Sequence, residues 1–323
     1  MPDKIKNNVS LKNLSYMRVG GITRHFFVAR DAKSLISVLN QWIKNNNPNK
    51  LRDVLIIGEA TNILFPEKYN GFILKNEIDF IKKINKNTIA VGAGTSVKKI
   101  LNFCLKNNLA GLEWAAGLPG SLGGAVRGNA GAFGGEIKDS VSKVIVTDII
   151  DSNKIKIRSL SRKNCNFSYR SSIFKNKNKD KLKYVILEVH LKLRYKKYLE
   201  EEKSIYRKII KYRKTKHPME FPTLGSIFKN IPLGKLSADV KKTFADKIKS
   251  DPVPVLPAAV LLGAAGMAGY SVGGAKFSEK HCNFIVNYKN ANTNNILQLI
   301  SEAKNRVWEK FRVKLKEEIE IIN

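Results

Sequence analysis

Apolar residues recur along this chain at two spacings. In "ITRHFFVA" (22–29) they crowd at strand-like intervals, and in the following "DAKSLISVLNQWIKNN" they return every three to four positions, which predicts an amphipathic helix with Asp31 as N-cap. "DVLIIG", "GFILK" and "TIAVGAG" read as short strands, and "SVKKILNFCLKNN" as a second helix opening after Thr95 or Ser96. A glycine-rich stretch follows, then strands at "SKVIVTDII", "KIKIRSL" and "KYVILEVHLKL". Near Tyr198 the pattern changes. "YLEEEKSIYRKIIKYRKTKHP" predicts a charged helix stopped by Pro218, and a domain boundary is placed at its start. Beyond it come a loop "GSIFKN", a polar insertion from about Lys235 to Ser250 and an apolar helix, then strand "CNFIVN", helix "TNNILQLISEAKNRVWEKF" and terminal strand "KLKEEIEII". The pattern is mixed α/β, without an internal repeat.

One apolar run is long enough to imitate a membrane span: Val253 to Ala275 carries no charge. Pro254 and Pro257 stand at its start and five glycines follow, so the run predicts a short buried helix from Pro257 that ends around Gly266 or Gly269.

Composition narrows the class. With 43% hydrophobic and 26% charged residues the chain is expected to fold. Its 58 basic against 27 acidic residues give +31, yet the lysines are spread from end to end among asparagine and isoleucine, as in "IKKINKNTI" and "FKNKNKDKLKY". That spread reads as solvated faces, and no nucleic-acid partner is expected. Cys104, Cys165 and Cys282 are odd in number and far apart, which fits a reduced, cytoplasmic setting. "MPDKIKNNVSL" lacks the apolar core of a secretory signal. The four histidines have no metal-ligand spacing, so no metal is expected.

Candidate chemistry centres on Gly111–Ile137, "GLEWAAGLPGSLGGAVRGNAGAFGGEI", which has nine glycines and only Glu113, Arg127 and Glu136 as charged side chains. Glycine-rich turns can pack for their own sake, or their amides can form a nest for phosphate. A second turn, "GEATNIL", follows a buried strand and offers Thr61 and Asn62, so the two loops could grip one dinucleotide. The scaffold is not of the Rossmann type, because "GAGTSV" from Gly92 has Val97 where the third glycine belongs. "GYSVG" around Ser271 matches a nucleophile elbow in letters only, since it lacks a preceding strand and a following helix.

In chain order, "NLSYMRVGG", "GEATNIL", the glycine-rich run, "FSYRSSIFK", "GSIFKN", "GGAKFSEKHCNFIVN" and "KLKEEIEII" resemble the UDP-N-acetylenolpyruvoylglucosamine reductases. The resemblance spans nearly the whole chain. It implies an α+β fold: an FAD-binding module of the vanillyl-alcohol-oxidase (PCMH) type with subdomains at 1–75 and 76–197, then a substrate domain at 198–323. It also implies non-covalent FAD, NADPH as hydride donor, a UDP-linked sugar substrate, a monomer and no stable membrane insertion.

Carried over by position, the resemblance implies Ser226 as proton donor, with Arg170 and Glu318 flanking the substrate carboxylate. It implies FAD contacts at Gly58, Asn62, Gly117, Gly120, Ser121, Gly123, Gly124, Ala130 and Gly131, and substrate contacts at Tyr169, Lys216, Lys229 and Asn230. The chain departs from the family where Ala60 and Thr61 replace glycine and serine in the first loop. Alanine there requires a negative φ, so the departure bears on flavin affinity. Ile231 stands where proline usually follows "FKN", and the insertion to Ser250 reads as drift on a tolerant surface. The extra tyrosine-bearing loop of one branch is missing, so the chain resembles the shorter type.

Overall fold

In the helix Ala32–Asn45 the residues Leu35, Val38, Leu39, Trp42 and Ile43 fall on one side and are buried, as the periodicity predicts. Asp31 Oδ1 accepts from the Ser34 amide at 2.7 Å and caps it. A computed structural model describes residues 4–45, 53–151, 154–175, 182–250 and 253–322. Residues 176–181 of the lysine run "FKNKNKDKLKY" lie outside them. By its contacts the chain divides into two compact units: Met1–Val9, Thr23–Glu59 and Asn70–Ile210 form the first, and Ser10–Ile22, Ala60–Tyr69 and Lys211–Asn323 the second.

The first unit contains two sheets. One has the order Lys6–Ser10, Ile22–Ala29, Lys68–Asn76, Val54–Ile57, its last pair parallel and in register from Val54 opposite Phe72. Trp42 stacks on Phe72 at 4.6 Å beneath it. The other sheet is antiparallel, in the order Lys154–Ser161, Val141–Asp151, Tyr184–Lys192, Thr88–Gly92, Ile81–Asn85. Ile149, Val185 and Leu187 from this sheet join the core around Phe72 and Leu74, so the two sheets share apolar packing. Helix Val97–Lys106, capped by Ser96, and helix Leu122–Gly128, capped by Ser121, close a second apolar cluster with Val144, Val189 and Leu191.

The second unit is built on an antiparallel sheet in the order Thr223–Ser226, Phe284–Asn287, Ala275–Phe277, Ser271–Val272. Helix Thr293–Phe311 covers the same core with Ile296, Leu299, Ile300, Ala303 and Val307. Its start is fixed by reciprocal capping between Asn292 and Asn295. Ser271 lies in a two-residue strand with a hairpin after it, which is incompatible with a nucleophile elbow. The apolar run contains one short helix, Ala258–Ala264, ended at Gly266 with φ 73°. No helix among the described residues is long and apolar enough to cross a membrane.

Three expectations change. The charged helix spans Glu200–Lys216, and its residues up to Ile210 group with the first unit rather than beginning the second. The terminal strand shrinks to Glu320–Ile321, which pairs in parallel with Ile63–Leu64. The residues before it bond to loop segments, as in the bridge between Phe228 and Glu317, and so form no regular ladder. The insertion is more than a surface elaboration: Lys249–Ser250 and Ile231–Pro232 flank Pro254–Leu256 in a small sheet, Leu236 and Val240 are buried, and Phe244 meets Phe311 edge to face at 5.7 Å. Those apolar contacts tie residues 231–250 to the core of their unit.

Candidate functional site

The two glycine turns of the first unit meet at Gly58 and Ser121. A Cβ on Gly58 would stand 2.0 Å from Ser121 Oγ, so only glycine allows the approach. Gly117 and Gly120 have φ of 71° and 111°, a backbone that glycine adopts without strain. The amides nearby are less available than the glycine count suggests. Leu122 donates to Thr95 O at 2.9 Å and Gly123 to Ala93 O at 2.7 Å, while Gly124 reaches Ser121 Oγ at 3.4 Å. Gly123 therefore supplies room rather than a donor, since a Cβ there would lie 3.0 Å from Ala93 O. Gly120 N–H donates to Glu59 Oε2 at 3.1 Å. Closely approaching turns with a carboxylate already seated on an amide suit a phosphate-bearing cofactor such as FAD.

Ala60 does not meet the expectation of a negative φ. It is buried with φ 48°. Left-handed backbone costs alanine about 1–2 kcal/mol, whereas its buried methyl contributes about 0.8 kcal/mol and a glycine would add about 0.5 kcal/mol of chain entropy to lose. These terms nearly cancel, which accounts for the alanine. Ala60→Gly is accordingly expected to move the unfolding free energy by less than about 1 kcal/mol in urea titrations; a loss beyond twice that would mean the methyl packs far better than its area implies.

Tyr169 and Arg170 form the tip of a tight turn, because Ser168 and Ser171 exchange backbone hydrogen bonds at 3.0 Å. Arg170 itself is left-handed, φ 52°, and its Nη2 donates to Gly131 O at 2.7 Å. Gly131 has no room for a side chain: a Cβ would lie 2.8 Å from Glu136 Cγ and 3.0 Å from Arg170 Nη1. Beneath it, Asn129 Nδ2 donates to Glu136 Oε1 at 2.9 Å and to Ser168 O at 3.0 Å. Glu136 is 6% exposed and is ion-paired with Lys138. Asn129 and Glu136 thus brace the turn that carries Arg170, and neither was singled out from the sequence. The available signal was one of only three charged side chains in a run otherwise free of charge.

The second unit assembles a different set. Ser226 ends its strand opposite Phe284, just after Gly225 with φ 79°. The next residues are gripped from two sides. Asn283, 2% exposed, donates from Nδ2 to Phe228 O at 2.8 Å and accepts the Phe228 amide at 3.0 Å, while its own carbonyl takes the Ile227 amide at 2.8 Å. From the other side, Glu318 N–H donates to Ile227 O at 2.8 Å, and Lys229 N–H to Lys316 O at 2.9 Å. Asn62 Nδ2 donates to Glu318 O at 3.1 Å. Ser226, Glu318 and Lys229 are therefore joined through backbone, and Asn62 through its side chain, whereas Arg170 belongs to the first unit. Glu317 is ion-paired with Lys304, which separates its role from that of its neighbour Glu318. Asn230 Oδ1 accepts the Ala258 amide at 3.2 Å, so its Nδ2 is the end able to serve a ligand. Lys216 is exposed at the helix end.

Two histidines lie against Phe284, the residue opposite Ser226. His281 is 4.6 Å and His217 4.9 Å from its ring centre. Burial, then the charges of Arg213 and His281, push His217 from 6.5 down to about 4. Burial also lowers His281. The unfolded chain takes up a proton near pH 6.5 that the folded chain refuses until about 4, so stability is expected to fall as pH drops through that window. Thermal midpoints between pH 7 and 4 would reveal it, and His217→Phe should flatten part of the slope. The thiols take no part: burial, helped at Cys104 by Glu113, raises Cys104 to about 12, and burial raises Cys165 and Cys282 to about 11. Among the described residues no group of three or more His, Cys, Asp or Glu side chains is arranged to hold a metal ion.

An α+β chain with two touching glycine turns, one of them directly after a strand of the parallel pair, suits a flavin-nucleotide oxidoreductase. Residues 24–151 match the family described as FAD binding domain, and residues 217–322 the one described as UDP-N-acetylenolpyruvoylglucosamine reductase, C-terminal domain. The chain is 32% identical over 321 residues to the UDP-N-acetylenolpyruvoylglucosamine reductase of Fusobacterium nucleatum subsp. nucleatum, covering 99% of both chains. It is 34% identical to that of Caldanaerobacter subterraneus subsp. tengcongensis, covering 99% of this chain and 94% of the relative. The crystal structure of UDP-N-acetylenolpyruvylglucosamine reductase from Thermus caldophilus shares the fold, with TM-score 0.74 at 24% identity over 99% of this chain and 100% of that one. The chain belongs to the UDP-N-acetylenolpyruvoylglucosamine reductase family, as its motifs lead one to expect, and is an FAD-dependent oxidoreductase.

Proposed function

We propose that the chain reduces the enolpyruvyl ether of UDP-N-acetylglucosamine-enolpyruvate to UDP-N-acetylmuramate for peptidoglycan, in the cytoplasm, as a monomer using NADPH. The observation that carries the reading is the junction of Ser226 with Glu318 through the Glu318 N–H to Ile227 O hydrogen bond. Segments 1–75 and 76–197 serve the cofactor and 198–323 the substrate.

Gly58, Asn62, Gly117, Gly120, Ser121, Gly123, Gly124, Ala130 and Gly131 hold FAD, which when bound supplies hydride from N5 to the methylene carbon of the enolpyruvyl group. Ser226 holds the proton that the neighbouring carbon takes up. A hydroxyl is a weak acid in water, but a developing carbanion is strongly basic, so a positioned donor suffices. Arg170, already oriented by Gly131 O, pairs with the substrate carboxylate and stabilises the enolic charge. Glu318 acts at the same carboxylate, and Tyr169 contacts the substrate. Lys216, Lys229 and the Nδ2 of Asn230 receive the UDP diphosphate; at these positions positive charge and a donor suit the ligand. No nucleic acid is a partner.

The test is to purify the chain, look for bound yellow flavin, and follow NADPH oxidation with and without the enolpyruvyl nucleotide. Oxidation that ignores the nucleotide, or a colourless protein that takes up no FAD, would sink the reading.

A further inference from the structure

Most backbone donors of the second glycine loop are committed to fixed partners: Leu122 to Thr95 O, Gly123 to Ala93 O and Ala125 to Ser121 O. Gly120 differs, because its acceptor is the carboxylate of an exposed side chain from the other loop. Its N–H reaches Glu59 Oε2 at 3.1 Å, and Glu59 is exposed, in the turn immediately after Gly58. Gly58 and Ser121 bring the two turns into contact, so this carboxylate sits where the loops face one another. An anion on a glycine-loop amide occupies the kind of position that a phosphate oxygen takes.

We propose that Glu59 is an internal anion that holds the Gly120 amide and opposes the diphosphate of the flavin nucleotide, and so sets how loosely this chain keeps its cofactor. The proposal rests on the flavin reading above. Two effects act in the same direction. The carboxylate must give up a charge-assisted hydrogen bond before a ligand can use the Gly120 donor. Once displaced it remains tethered a few residues away and repels the doubly charged diphosphate. Glutamine keeps an acceptor for Gly120 but removes the charge, and alanine removes both.

The experiment strips flavin from the full-length protein and titrates FAD by fluorescence quenching, for the natural chain, Glu59→Gln and Glu59→Ala, at low and high salt, with melting curves to establish that each is folded. Both variants are expected to bind FAD about tenfold more tightly at low salt, with the gain shrinking as salt screens the repulsion. Unchanged or weaker binding would overturn the proposal and make Glu59 a brace that orders the loop. A gain indifferent to salt would also overturn it, because charge would not be the cause. If none of the three proteins takes up FAD, the flavin reading fails and the proposal with it.

Discussion

Replacing Ser226 by alanine is expected to lower turnover about 10²–10⁴-fold, the usual worth of a positioned proton donor, while leaving the reduction of flavin by NADPH at its natural rate. The substitution isolates one atom, because the backbone around it does not depend on the hydroxyl. Ile227 and Phe228 are held by Asn283, and Ile227 O is held by the Glu318 amide. Rapid mixing with NADPH reports flavin reduction, and steady-state oxidation with the enolpyruvyl nucleotide reports the whole cycle. A selective loss in the second identifies a proton donor. A parallel loss in both would mean that residue 226 only shapes the loop.

Glu136→Ala is expected to destabilise the first unit by about 3 kcal/mol, at the lower end of the cost of breaking a buried charge pair. The lower end is appropriate because Lys138, its ionic partner, is 29% exposed and recovers some hydration. Asn129 loses one acceptor but keeps its bond to Ser168 O. Glu136→Gln also loses the ion pair but preserves an acceptor for Asn129, so it should cost about 2 kcal/mol, less than alanine by roughly the net worth of a hydrogen bond. Urea unfolding followed by the fluorescence of buried Trp42 and Trp114 would measure both. Equal losses for Ala and Gln would assign the effect to the ion pair alone and remove Asn129 from the network.

Helices Ala32–Asn45, Val97–Lys106 and Thr293–Phe311 were legible because apolar spacing and a capping side chain agree at each. The site loops were legible as glycine-rich turns, but their donors were not. Whether Gly123 offers its N–H to a ligand or to Ala93 depends on a neighbour that local spacing cannot reveal. The same limit hid Asn129 and Glu136, whose meaning comes from Ser168 and Arg170. It also hid the membership of 10–22 and 60–69 in the second unit, where Ile63–Leu64 finds a partner only at Glu320–Ile321. Within the insertion, Leu236 and Val240 are too few among lysines to signal burial by periodicity.

That late pairing has a consequence for biosynthesis. A ribosome releases residues 60–69 long before 320–321, so the parallel bridge that completes the second unit cannot close while the intervening polypeptide is still being made. Until then Leu64, fully buried in the finished protein in a cluster with Ile319, lacks that part of its cover. Premature truncation near residue 316 should therefore yield a product in which Leu64 and its neighbours lack Ile319 and Ile321, a substrate for chaperones and proteases rather than a smaller working enzyme.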